Sequence, residues 1–286
     1  MKTRITLRRN AATFITMIMA VVLVSQNASA QADRSMYFLP IVPQLRNANP
    51  AHMPDYRLYV GIPFLSSVKV GFENTFIYDD ILQQRGDSLY LDRDYLLGNL
   101  NDENTLNLNL MEEYLTLGVG FGENYLSFRV ADIISSNATI TKGLMEFLLY
   151  GNGSEKYLGQ TADLGGTAIN LAYYREYSAG YTRRITPKLN AGINLKYLQG
   201  IANFYTEKID LLLYTDPLDL SLSLQSDISI NMSSPGLGDE EISASDFLPN
   251  SKNSGFAFDL GAQYQVNDKI QVSAGIIDIG SIKWKD

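Results

Sequence analysis

The 286-residue sequence predicts an all-β fold. The fold class is an antiparallel up-and-down transmembrane β-barrel, incomplete in this chain, with an N-terminal coil or plug segment and one short helix. Three observations predict it. Apolar and polar residues alternate with a period of two along most of the chain, which marks strands with one oily and one wet face. The wet face is mainly Gly, Ser, Thr, Asn, Gln and Ala, whereas a soluble sandwich would carry larger charged residues there. Small polar residues suit the crowded or watery inside of a closed barrel. Tight turns also alternate with long polar loops, as when short turns lie on one side of a membrane and longer loops on the other.

The chain opens with a targeting segment. Lys2, Arg4, Arg8 and Arg9 precede the apolar run "AATFITMIMAVVLV" (11–24), and "ASA" (28–30) is a small-x-small cleavage site. Residues 1–30 therefore read as a secretory signal peptide, cut after Ala30. No Cys follows the cut, so this signal does not make a lipoprotein. Removing its four basic residues of 23 leaves 19 Lys and Arg against 31 Asp and Glu, a net of −12. That charge argues against nucleic acid as a partner. The absence of Cys excludes disulfides, thiol chemistry and Cys-ligated metal. Beyond the signal no long unbroken apolar stretch remains, so any membrane crossing must be made by strands.

Residues 31–55 contain Pro40, Pro43, Pro50 and Pro54. They read as an ordered coil or plug, neither helix nor inner strand, lying against something. Residues 56–286 then read as the barrel. Leu58, Val60 and Ile62 form one apolar row, and Val68, Val70 and Phe72 another. Residues 79–103 are acidic and aperiodic, a loop with room for one short helix. Leu106, Leu108 and Leu110 form the next apolar row, and Leu115, Leu117, Val119 and Phe121 the one after it. "GEN" (122–124) turns the chain into Leu126, Phe128 and Val130. "TKGLMEFLLY" (141–150) breaks the alternation and suits a helix, ended by "GNG".

Strands resume at Ile169 to Tyr181, and "TPK" (186–188) leads into Ala191, Ile193, Leu195 and Tyr197. The stretch "LDLSLSLQSDISINM" (218–232) has only Ser226 breaking its apolar row. After a polar loop at 233–253, Phe256 to Val266 and Ile270 to Ile276 form a last hairpin through "ND" (267–268). This makes about eleven strands. Single-chain bacterial barrels have even counts. The chain ends in "SIKWKD" with no terminal aromatic strand, so the sequence predicts a barrel truncated at its C-terminus.

Three stretches carry a family resemblance. "LPIVPQLRNANPAHMPDYRLYVGIPFLSSVKVGFENTF" resembles the opening of a Gram-negative outer-membrane family known only as domain of unknown function 5723. "YYREYSAGYTRRITPKLNAGINLKYLQG" and "FAFDLGAQYQVNDKIQVSAGIIDIGSIKW" resemble its later hairpins, in order. "NPA" (49–51) is similar to the N-terminal segment of FadL-type long-chain fatty acid transporters, a resemblance that implies a hatch plugging the barrel. No ligand-contact motif of that family is recognisable, so its substrate is not carried over.

Little in the sequence speaks for catalysis. His52 is the single histidine, and no nucleophile, metal or phosphate motif accompanies it. The expectation is no enzyme, no catalytic residue, no metal and no cofactor. Asn49, Pro50, Ala51 and His52 are the candidate plug or turn residues. Arg129, Glu176, Lys196, Asp227 and Asp259 lie within otherwise apolar strands and should face the lumen if those strands span a membrane. Arg175 interrupts the apolar row itself, which predicts a bulge near 174–176. The predicted location is the outer membrane, with its lipid and the barrel assembly machinery as partners. The predicted role is passage of a small or hydrophobic solute. The alternatives are a structural or assembly/secretion-associated surface barrel, or a soluble secreted β-sandwich that binds a partner.

Overall fold

The structure, a computed structural model, describes residues 41–63, 67–76, 81–85, 87–234 and 252–285. The expected signal peptide, residues 31–40 and most of the 233–253 loop lie outside the described residues.

Alternation translates into one large antiparallel sheet. Its strands are β1 (Leu58–Gly61), β2 (Val68–Asn74), β5 (Glu103–Phe121), β6 (Asn124–Thr141), β7 (Thr161–Asp163), β8 (Ala168–Thr186), β9 (Leu189–Thr215), β10 (Leu222–Ser233), β11 (Ser254–Asn267) and β12 (Ile270–Lys283). A small hairpin, β3 (Gln83–Arg85) with β4 (Ser88–Tyr90), stands apart. The path is β1-β5-β6-β8-β9-β11-β12, a meander in which chain neighbours are sheet neighbours. β2 joins β5 beyond β1, while β10 and β7 pair with the far half of β9. At 27 residues, β9 is long enough to carry β11 on its first half and β10 on its second. Among the described residues, no ladder joins the β1/β2 edge to β12.

The sheet is nonetheless strongly curled. Lys69 of β2 and Asp278 of β12 line one cavity of about 210 Å³. Six strand-to-strand steps separate those edges, which would be about 29 Å if the sheet were flat. Only a trough brings them around so small a space.

The two faces are inverted relative to a water-soluble protein. Leu195 is 59% exposed and its neighbour Lys196 is 4% exposed. Phe258 is 39% exposed and Asp259 is fully buried. Leu58, Val60, Val119, Leu126, Leu260, Val272 and Ile276 are likewise exposed. Glu113, Arg129, Glu176, Thr182 and Asn194 are buried on the concave side. No second sheet covers the apolar rows among the described residues. Of the row "LDLSLSLQSDISINM" (218–232), residues 218–221 belong to the turn that leads from β9 and the remainder lies in β10, where Leu222, Leu224, Ile228, Ile230 and Met232 all stay exposed.

Three helices are placed among the described residues, one at the expected 141–150, one in the 79–103 loop that had room for it, and one in the N-terminal segment expected to hold none. α1 (Leu45–Ala48) fits a single turn between Pro43 and Pro50, with the Val42 and Pro43 carbonyls accepting from Leu45 N and Arg46 N. The prolines bound this helix without preventing it, because neither falls in its interior. α2 (Arg93–Asn99) is capped by Asp92, whose carboxylate accepts from the backbone of Asp94 and Tyr95 at 3.1 Å. α3 (Lys142–Tyr150) is the helix expected at 141–150. α2 and α3 pack through Leu96, Leu97, Met145 and Leu149, and α3 meets Tyr157, Ala162 and Leu164 on its other side. These small apolar clusters cap the end of the sheet opposite the tight turns.

Arg175 stays on the outward row. A register shift does occur beside Tyr173 and Tyr174, but Ile201 of β9 is the extra residue, and β6–β8 pairing runs unbroken. Arg175 is instead neutralised in place. Its Nε and Nη2 donate to Asp132 at 2.5 and 2.9 Å, its guanidinium stacks on Tyr114 at 5.2 Å, and Tyr173 donates to the same carboxylate at 2.7 Å. We predict that Asp132→Ala, which strands this cation on an apolar face, destabilises the fold by about 1–3 kcal/mol. Asp132→Ala combined with Arg175→Met should recover most of that loss in denaturant unfolding of the protein.

Candidate functional site on the concave face

The N-terminal segment lies across the concave face, and small residues make room for it. Gly192, Gly261 and Gly275 are direct cross-strand partners on β9, β11 and β12. A Cβ on Gly192 would collide with the Pro50 carbonyl, and one on Gly261 with the Asn49 side chain. Glycine is required there by close approach of two backbones. Asn49, Pro50 and Ala51 are buried in this cradle. Ala51 N donates to Asn49 Oδ1 at 2.9 Å, an Asx turn that fixes the bend.

Arg46 fastens the segment to the other strands. It donates to Thr182 Oγ1 at 2.6 Å, to the His52 carbonyl at 2.9 Å and to Ser127 Oγ at 3.0 Å, and it lies over the Tyr125 ring at 4.8 Å. Thr182 in turn donates to the Pro50 carbonyl at 2.5 Å. Every one of these acceptors is neutral, and burial pushes the Arg46 guanidinium down to about 10. Asn47 and Gln44 donate to Glu113 of β5 at 2.9 and 3.4 Å. A segment of a few residues thus touches β5, β6, β8, β9, β11 and β12. His52 is buried in the bend, where its carbonyl serves Arg46.

Beside the segment, charged groups form a ladder across the strands. Arg129 faces Glu113 at 3.5 Å and also pairs with Glu176. Lys196 reaches Glu176 at 3.7 Å, Asp259 at 2.9 Å and Asp278 at 2.5 Å. Asn194 donates to Asp259 at 2.8 Å. The order along the ladder alternates in sign, which offsets the desolvation each group suffers.

The structure brings together four of the five charged residues singled out from sequence: Arg129, Glu176, Lys196 and Asp259. Asp227 is placed elsewhere, exposed on the β9–β10 hairpin and paired with Lys208 at 2.6 Å. Two ladder members were not legible. Glu113 precedes a bulge at Tyr114 that changes the parity of β5. Asp278 falls on the apolar parity of β12, and a bulge opposite Asp259 turns it inward.

Cavities lie on both sides of the segment. On the tight-turn side, about 530 Å³ is lined by His52, Asp55, Arg184, Lys188, Gln263 and Gln271. On the other side lie the 210 Å³ cavity, reached by Asn47, and a further one of about 250 Å³. The segment therefore stands as a partition within the trough.

Fold and site together define a β-sheet protein with an inverted surface and a strap across its polar interior. The chain belongs to a family described as a family of unknown function (DUF5723), whose model matches residues 50–286. No curated protein and no solved structure matches the chain.

The glycine cradle yields a prediction. Gly192→Val should eject the segment while leaving the ladder of strands intact. Trypsin should then cut after Arg46, which is protected in the wild type, and far-UV circular dichroism should not change.

Proposed function

We propose that this protein is an outer-membrane β-barrel that passes a small solute, with the segment 31–55, described from residue 41 onward, as its plug. One observation carries the reading: among the described residues the greasy rows face outward without cover, while Glu113, Arg129, Glu176, Lys196 and Asp259 are buried within the curl. In water that arrangement is unfavourable by roughly 25 cal/mol for each Å² of exposed apolar surface. In hydrocarbon it is the favourable one. The outer lipid is then the main partner, and the barrel assembly machinery is needed for insertion. The same reading places the protein in the outer membrane after export by its signal peptide.

Passage is favoured over a purely structural role by the cavities on both sides of the partition. The plug is held by hydrogen bonds and close backbone contact, with no continuous apolar core beneath it. Such contacts can be exchanged for water as the segment moves. The likeness of "NPA" to the hatch of FadL-type transporters supports this assignment of the segment and says nothing about the solute. The 141–150 helix takes no part in the plug, because it belongs to the cap.

Cell fractionation tests the reading. The protein should sediment with the outer membrane and migrate faster in detergent gels before boiling than after. Recovery in the periplasmic fraction, with no heat-dependent shift, would show that the exposed rows serve some other contact.

A further inference from the structure

We infer that the cavity bounded by Tyr174, Glu176, Asp278 and Trp284 is a binding site for an organic cation, a substituted ammonium group. The inference rests on the reading of the concave face as a water-accessible lumen. The cavity measures about 250 Å³, and the only charged residues in its wall are Glu176 and Asp278. Tyr174 and Trp284 supply aromatic rings to the same wall. A cation gains from both a carboxylate and the negative face of an aromatic ring, whereas an anion is repelled by both. The rings favour a bulky, weakly hydrated ammonium over a small, strongly hydrated ion.

Asp278 is built into this position. It has φ of 58°, a left-handed conformation that few non-glycine residues adopt. It lies in the β12 bulge opposite Asp259, where its N–H donates to Asp259 Oδ1 at 2.8 Å. One carboxylate oxygen accepts from Lys196 at 2.5 Å, yet the Asp278 side chain is still 67% exposed while Lys196 is buried. Backbone strain of this kind persists where the surroundings hold it, and here it turns a carboxylate from the outward row into the cavity.

Trp284 is held as closely. Its ring lies against Gly200, where an added Cβ would come within 2.5 Å of it. Lys285 N, the next backbone donor, bonds Asn253 Oδ1 at 2.8 Å. Around the cavity the ladder carries four carboxylates, Glu113, Glu176, Asp259 and Asp278, against two cations, Arg129 and Lys196. Lys69 adds a third cation in the adjoining 210 Å³ cavity, which shares Glu176 and Asp278, so the balance is four to three and one net negative charge adds to the attraction of the wall.

The protein contains a single tryptophan, so Trp284 reports on its own site. The full chain, folded in detergent, is titrated with choline and with 3,3-dimethylbutan-1-ol, its uncharged isostere, while Trp emission is followed. Choline should give a saturable change, and the isostere a response at least tenfold weaker. Asp278→Asn keeps a side chain that tolerates the left-handed backbone, and it should weaken choline by tenfold or more. Should that variant not fold, Tyr174→Leu removes a ring outside the ladder and should weaken choline as well. Absence of saturation, an equal response to the isostere, or unchanged choline binding by the folded variants overturns the site. The barrel reading is judged separately on the same sample: a heat-modifiable protein that ignores choline loses only this site.

Discussion

Exposed apolar rows on every second residue impose one demand from which the remaining features follow: on the reading proposed above, the medium beside them is lipid and not water. Leu195, Phe258, Leu260, Val272 and Ile276 lie in rows across β9, β11 and β12, and none of the described residues covers them. A soluble protein would bury these side chains and hold its charges outside. Here the charges are inside, so each must find its partner within the curl. The alternating ladder from Glu113 to Asp278 meets that need across six strands.

The same inversion explains the composition of the inner face. A trough this narrow has little room once a strap crosses it, and the side chains beneath the strap must be small. Gly192, Gly261 and Gly275 are therefore a consequence of Asn49, Pro50 and Ala51 lying on them. Arg46 then ties the strap to β6 and β8 through neutral oxygens and the Tyr125 ring. It fixes the segment by directional bonds while keeping its own charge in a costly environment. A strap held in that way is secured but not welded.

Alternation made most of the strands legible, because a period of two needs only residue type to be seen. The meander, the tight turns and the helix at 142–150 follow from it. Bulges were the principal blind spot. One extra residue at Tyr114, Ile201 or near Asp278 reverses which face the following side chains take, and no residue type marks the event. Asp278 was hidden for that reason, since its parity placed it among the apolar residues. Position along a strand was the other gap. Asp227 has the parity of an inward residue but lies on the β9–β10 hairpin, away from the ladder. Arg175 shows a third limit: a charge can remain on the outward row when Asp132 on the adjacent strand neutralises it.

The most direct test is a nitroxide scan along β11, one site at a time from Phe256 to Val266, in lipid vesicles. The absence of native Cys makes each labelled position unambiguous. The account predicts that accessibility to oxygen, which concentrates in lipid, peaks at Phe256, Phe258, Leu260, Ala262 and Tyr264 and dips at the residues between them. If those same sites were shielded from oxygen, or open to a water-soluble nickel reagent, the oily face would be meeting protein or water, and the membrane account would be wrong.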